Sequence, residues 1–219
     1  MGNCVAGGAY LPVLCDKVLM TEGSGLYLAG PSLVKAAIGQ VVDQEELGGA
    51  QMHSEISGTV DFYEKDDHSC LKRLRSLIAL LPESERAREA KATNEKSLPP
   101  ARDAAAVYDL ISLDGQKTYD ARDLLASIID ANSLDEYKAD YGKTLVTTYA
   151  RIGGSAVGIV ASQRHQVRPK KEGIQMGCVS SADSAAEAER FVMDCKPNSS
   201  PTLFFQDAIG LMAVIDGHR

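Results

Sequence analysis

A glycine pair framed by small residues, Ala6-Gly7-Gly8-Ala9-Tyr10, is the feature that most limits how this chain can fold. Two consecutive glycines admit conformations and close approaches that a Cβ forbids, and Leu11 to Asp16 behind them reads as a helix despite Pro12 near its start. Such a turn presents unpaired backbone N–H groups at a helix N-terminus. Reinforced by the helix dipole, these donors suit an anion or a developing oxyanion, and the missing side chains let a substrate reach the backbone. The same residues also read as a structural strand-to-helix turn, and spacing alone leaves both readings open.

What surrounds the turn narrows the class. At 219 residues and 44% apolar, the chain is long enough for one large or two small domains with a real core. No run approaches the roughly 20 apolar residues of a membrane-spanning helix. A net charge of −7 argues against nucleic acid as a partner. Cysteines at 4, 15, 70, 178 and 195 are odd in number and widely spaced, which fits a reducing compartment and neither a disulfide framework nor a zinc site. The opening residues carry no signal-peptide pattern, and Ala6 breaks the myristoylation pattern after Gly2.

Along the chain, Lys17 to Thr21 and Leu26 to Ala29 read as strands around Gly23-Ser24-Gly25. Gly30-Pro31 opens a short helix through Ile38 with Gly39 just past its end, and Asp43 with Glu46 resembles a capping box for a further turn ended by Gly48-Gly49. A stronger helix starts around Asp66 and Asp67. Cys70, Leu71, Leu74, Leu77, Ile78 and Leu81 share one face, Lys72, Arg73 and Arg75 the other, and Pro82 stops it. Residues 83–103 are polar enough to be a connector. Beyond it, Asp120 caps a helix with Leu124, Leu125, Ile128 and Ile129 inside. Thr144 to Ile152 and Ala156 to Ser162 flank Gly153-Gly154-Ser155 as a hairpin. Ser184 to Cys195 is helical, and Pro201 to Gln206 reads as a fully buried strand of a parallel sheet. Helix followed by buried strand argues an α/β chain.

Other chemistries fare worse. Gly23-Ser24-Gly25 followed by Gly30 misses the G-x-G-x-x-G spacing, and no P-loop pattern occurs. Cys4 with His53 as base is a conceivable nucleophile pair, but a cysteine beside a turn is more often a packing residue. His53, His68, His165 and His218 lack metal-ligand spacing, so no metal is expected. Asp61, Glu64, Asp66 and Asp67 read as cap and dipole partners before an acid–base pair. Lys170-Lys171, with Arg164 and Arg168, reads as a solvated loop before a phosphate grip.

Several separated motifs carry a resemblance. Gly2-Asn3-Cys4-Val5-Ala6-Gly7-Gly8-Ala9-Tyr10-Leu11-Pro12 and Leu28-Ala29-Gly30-Pro31-Ser32-Leu33-Val34-Lys35-Ala36-Ala37 are two of them. Leu47-Gly48-Gly49-Ala50-Gln51-Met52-His53 is a third, continued by Ser57-Gly58 and Asp66-Asp67-His68. With Tyr119 to Asp123, Asp135 to Lys138, Tyr141 to Thr147 and Val157 to Val160, they resemble the carboxyltransferase β-subunit of biotin-dependent acyl-CoA carboxylases, the methylcrotonyl-CoA and propionyl-CoA types being nearest.

The resemblance implies an α/β, crotonase-like (ClpP/crotonase) ββα superhelix. Residues 1–112 are then the end of an N-domain with the charged connector 83–103, and residues 113–219 the inter-domain helix and the first part of a C-domain. Carboxybiotin on a partner carrier domain delivers the carboxyl group to the α-carbon of an acyl-CoA. The backbone pocket for the thioester enolate maps onto Gly7, Gly8 and Ala9, with Ala6, Tyr10, Gly30, Pro31, Gly48, Gly49 and Ala50 shaping the substrate side. Biotin carboxyl carrier and biotin carboxylase components are the implied partners, in a homo-oligomer of the cytoplasm or the mitochondrial matrix. Family subunits are more than twice as long, so an internal fragment lacking the second glycine-alanine pocket is expected. Ser162-Gln163 and Ile209 to Ala213 depart from the family pattern. A glutaconyl-CoA-type decarboxylase subunit and a non-catalytic scaffold are the alternatives.

Overall fold

Very short strands and short helices build the first of two compact units, Met1–Ala79 and Leu80–Arg219. The computed structural model describes residues 1–80, 97–112, 117–168, 175, 177, 179–196, 201–207 and 210–211.

In the first unit, β1 (Asn3–Val5) leads into α1 (Gly7–Val13), with β2 (Leu19–Thr21) and β3 (Gly25–Tyr27) after it. β1 and β3 pair in parallel with Cys4 opposite Leu26. α2 (Pro31–Ile38) starts with Gly30 as its cap and Pro31 at its first position, and ends at Gly39 in the left-handed region (φ 72°), as the spacing predicts. α3 (Gln44–Gly48) is capped by the Asp43 carboxylate, which accepts from the Glu45 N–H at 2.9 Å. α4 (Ala50–Met52) runs into a π-helical turn, His53–Ser57. β4 (Phe62–Glu64) pairs in parallel with β2. Ala9, Val18, Met20, Leu26, Ala50 and Val60 form the core beneath these pieces.

α5 (Asp67–Ala79) is where periodicity predicted it, and the Asp66 carboxylate caps it through the Ser69 N–H at 2.8 Å. The predicted apolar face is only partly buried. Only Cys70 is buried, while Leu71 and Ile78 remain 49% and 56% exposed. Arg73, expected on the solvent face, lies 4.8 Å over the Phe62 ring and bonds Glu64 at 2.7 Å. A guanidinium with an aromatic face and a carboxylate beside it tolerates this position, so β4 selects a mixed face. Leu81 and Pro82, and the connector through residue 96, lie outside the described residues.

The second unit is built on a four-stranded sheet. Within it, α6 (Ala121–Leu125) is capped by Asp120, which accepts from the Arg122 N–H at 2.9 Å. β5 (Asp135–Tyr137), β6 (Leu145–Ile152) and β7 (Ser155–Ser162) pair antiparallel in that order. The predicted hairpin joins β6 and β7, with Gly153 and Gly154 at φ 62° and 80°, both values a two-residue primed turn demands. The buried Asp130 carboxylate accepts both of their N–H groups, at 2.9 and 2.8 Å. β8 (Val179–Ser180) precedes α7 (Ala182–Cys195), whose cap is Ser181, three residues before the predicted start. β9 (Thr202–Phe205) joins β7 in parallel, as expected, and β10 (Gly210–Leu211) pairs with β8. The expectation of a fully buried strand is corrected: Phe204 is 64% exposed. Among the described residues β9 is the outer strand of its sheet, so its apolar composition has no second neighbour to bury against.

Glu187 projects from α7 into this unit's interior and is 2% exposed. One carboxyl oxygen accepts from the Thr147 hydroxyl, and the other has no partner among the described residues. Burial pushes its pKa well above the usual carboxylate range, opposed by Thr147, Lys138 and Arg122 and assisted by Glu136. Burial therefore favours the neutral carboxyl over the ionised one. The neutral form's contribution is fully present below the ordinary glutamate pKa and is lost as pH rises through the elevated one. Glu187→Gln should raise Tm, and by more at pH 8 than at pH 5 in thermal melts; an equal gain at both would mean that folding does not raise the carboxyl pKa.

Candidate active-site turn

The glycine turn sits where the parallel strands β1 and β3 end. Ala6 occupies φ 52°, ψ −127°, a strained conformation for a residue with a side chain, and its N–H donates to the Tyr27 carbonyl at 3.2 Å. Strand, strained residue and helix thus follow one another with no loop. Gly7 and Gly8 are exposed, and their N–H groups have no acceptor among the described residues. A Cβ added to either would meet nothing within 4 Å, so the space beside their Cα atoms is open. Ala9 differs: its N–H donates to the Ala6 carbonyl at 3.0 Å and its methyl is buried in the core. Of the three expected donors, the structure leaves two available. Cys4 and Tyr10 are the only titratable side chains from residue 4 to residue 14, so charge placed at the turn meets main-chain dipoles.

The other expected site residues form its surroundings by packing. A Cβ at Gly48 would lie 2.5 Å from the Leu26 carbonyl oxygen and 2.6 Å from Tyr27 Cδ1, so only glycine lets the end of α3 rest on β3. Gly49 bridges Gly25, its N–H donates to the Glu45 carbonyl at 2.9 Å, and Ala50 is fully buried. Gly48, Gly49 and Ala50 therefore support the turn from within and offer no open amide of the kind seen at Gly7 and Gly8. Gly30 and Pro31 start α2 at the same end of the β1–β3 pair as the Gly7–Gly8 turn. Tyr27, which the sequence reading did not single out, joins these parts. Its ring lies where side chains at Gly25, Gly30 and Gly48 would come within 2.7, 3.5 and 2.6 Å of it. Tyr10 and Ala6 are exposed beside the turn.

The weaker chemistries find structural explanations. His53 has both ring nitrogens engaged, Nε2 with the Leu26 carbonyl at 2.7 Å and Nδ1 with Ser57 Oγ at 2.8 Å, and Cys4 packs against the core. Asp61 is buried and accepts from the Val18 N–H at 2.7 Å. Arg164 pairs with Asp207 at 3.0 Å, and Tyr119 donates to the second oxygen of that carboxylate at 2.9 Å. Gln163 is buried, accepting from the Ala121 N–H at 3.1 Å and donating to Asp120 at 3.0 Å, so this departure from the family pattern ties α6 to the end of β7. Lys170 and Lys171, like Ile209, Met212 and Ala213, lie outside the described residues. No cluster of three metal-ligating side chains occurs among the described residues.

The family description "Carboxyl transferase domain" matches residues 1–216. The chain belongs to the carboxyl transferase domain family. This family member is 36% identical over 213 residues to the biotin-dependent 3-methylcrotonyl-coenzyme A carboxylase beta1 subunit of Mycobacterium tuberculosis, covering 97% of the chain and 37% of that relative. It is 31% identical over 216 residues to the methylmalonyl-CoA decarboxylase subunit alpha of Propionigenium modestum, covering 97% of the chain and 39% of that relative. A crystal structure of transcarboxylase 12S, described as a hexamer with methylmalonyl-coenzyme A and methylmalonic acid bound, matches with a TM-score of 0.85 and 31% identity over 99% of the chain and 40% of that protein. The α/β fold is thus the crotonase-like carboxyltransferase fold. The chain spans about two fifths of the length of these relatives.

Open and packed glycines differ in what a methyl group does. Gly48→Ala should cost about 1–3 kcal/mol, because the backbone carbonyl it meets cannot step aside. Gly8→Ala, in a helical turn with free space, should change stability by no more than about 1 kcal/mol and in the favourable direction. Urea unfolding of the two variants measures the contrast.

Proposed function

We propose that this carboxyl transferase chain holds the thioester of an acyl-CoA and that the N–H groups of Gly7 and Gly8 stabilise the enolate oxygen formed when the α-carbon exchanges a carboxyl group. The observation that carries the reading is the pair of adjacent, acceptor-free amides of two exposed glycines at the end of a parallel strand pair. Neutral amides bind a thioester carbonyl weakly and the enolate oxygen more strongly, which is the selectivity catalysis needs. The strain at Ala6 fits this role, since a turn held in a rare conformation keeps its donors pre-aimed.

Biotin on a partner carrier supplies or removes the carboxyl group when bound. The open turn fits a carbonyl oxygen, and no described residue is assigned to the biotin ring. Ala9 acts as the anchor of the turn, with Ala6 and Tyr10 beside the thioester, Gly30 and Pro31 at the flank, and Gly48, Gly49 and Ala50 as the packed support. Residues 1–112 serve the acyl-CoA side and residues 113–219 open the second domain. Carrier and carboxylase components, self-assembly, and a cytoplasmic or mitochondrial matrix location complete the proposal. The likeness to a decarboxylase subunit supports a second reading in which the same turn stabilises the enolate left when the carboxyl group departs.

Gly8→Val places branched bulk over the amides without touching the fold. Calorimetric titration with methylmalonyl-CoA and with free CoA separates the thioester from the rest of the ligand. The expected outcome is tighter binding of the thioester by the parent chain and a loss of about tenfold or more in the variant at unchanged Tm. Undiminished binding in the variant shows that the thioester does not lie against these amides, and the site falls with it.

A further inference from the structure

We propose that His53 is the positioning residue of the amide turn, acting through the Leu26 carbonyl as a ring protonated at Nε2. This deepens the reading of Gly7 and Gly8 as oxyanion donors and rests on it.

A carbonyl oxygen only accepts, so the 2.7 Å contact from Nε2 to Leu26 places the proton on that nitrogen. Nδ1 faces Ser57 Oγ at 2.8 Å, and Ser57 in turn lies 2.9 Å from Thr59 Oγ1. The imidazole is thereby pinned at both ends. It stands at the first position of a π-helical turn, a local widening that is rare and recurs where a helix must aim a side chain. Leu26 is the central residue of β3, and the end of α3 rests on the same carbonyl at Gly48. The next carbonyl along, that of Tyr27, accepts the Ala6 N–H at 3.2 Å. Ala6 is the strained residue immediately ahead of the open amides. A three-residue strand shares its load over few bonds, so a histidine clamping its middle carbonyl sets where the next carbonyl lies, and with it the turn.

Two substitutions separate the ring's two contacts. The amide nitrogen of glutamine reaches where Nε2 reaches, whereas that of asparagine reaches only where Nδ1 does. In amide hydrogen exchange of the ligand-free chain, His53→Asn should speed exchange of the Ala6 N–H about tenfold, while the Glu22 N–H, which donates to Glu64 at 2.9 Å, keeps its protection. His53→Gln should stay within about twofold of the parent at both positions. Methylmalonyl-CoA affinity should follow the same order, parent and glutamine variant above the asparagine variant. Equal exchange at Ala6 in the two variants, equal acceleration at Glu22, or failure of the asparagine variant to fold would overturn the proposal, because each shows His53 supporting the unit at large. If the parent chain does not bind methylmalonyl-CoA, the carboxyl-transfer reading fails, and the exchange rates still decide the role of His53.

Discussion

Everything at the candidate site depends on holding one strained residue, Ala6, at the end of two paired strands only three residues long. Each backbone hydrogen bond contributes about 0.5–1.5 kcal/mol net, and a strained backbone costs about 1–3 kcal/mol, so the β1–β3 ladder alone leaves little surplus. The difference comes from packing behind the turn. Ala9 and Ala50 are buried in one core, and Gly48 lets α3 press on β3 without a side chain between. Small residues matter here because they bring backbone against backbone at distances no larger residue allows.

The contrast between Gly7-Gly8-Ala9 and Gly48-Gly49-Ala50 shows how far composition carries an argument. Both triplets bury their alanine in the same core. In the first, the glycines face open space and keep free N–H groups; in the second, they are buried against β3 and α3 with an amide spent inside the fold. The letters are identical, and only the strand arrangement decides which pair can meet a ligand. The sequence reading put both near the substrate, and the structure separates an open pair from a packed pair.

Local chemistry was legible elsewhere. Caps at Gly30, Asp43 and Asp120 and the primed hairpin at Gly153-Gly154 depend on a few neighbouring residues, and each stands where its residues place it. What depended on distant neighbours was not. Periodicity put α5 in place but could not say that Phe62 and Glu64 would draw Arg73 inward and leave Leu71 and Ile78 out. An apolar run marked β9 as a parallel strand, but not as an outer one. At the site, no pattern signals that the positive φ falls on Ala6 in place of a glycine, or that Tyr27 wedges among three glycines, because both follow from strand pairing across more than 20 residues.

A net charge of −7 opposes an anionic ligand at long range, a coenzyme A thioester included. Salt screens exposed charges beyond about 8 Å at physiological strength, so carboxylates far from the turn contribute little there. Near the turn, residues 4–14 carry no Asp, Glu, Lys, Arg or His. The Gly7 and Gly8 amides and the start of α1 add a field there whose sign favours negative charge. Main-chain amides do not titrate across the physiological range. On the proposed reading, stabilisation of an oxyanion at this turn is independent of pH, and a pH dependence of the reaction originates in groups outside it.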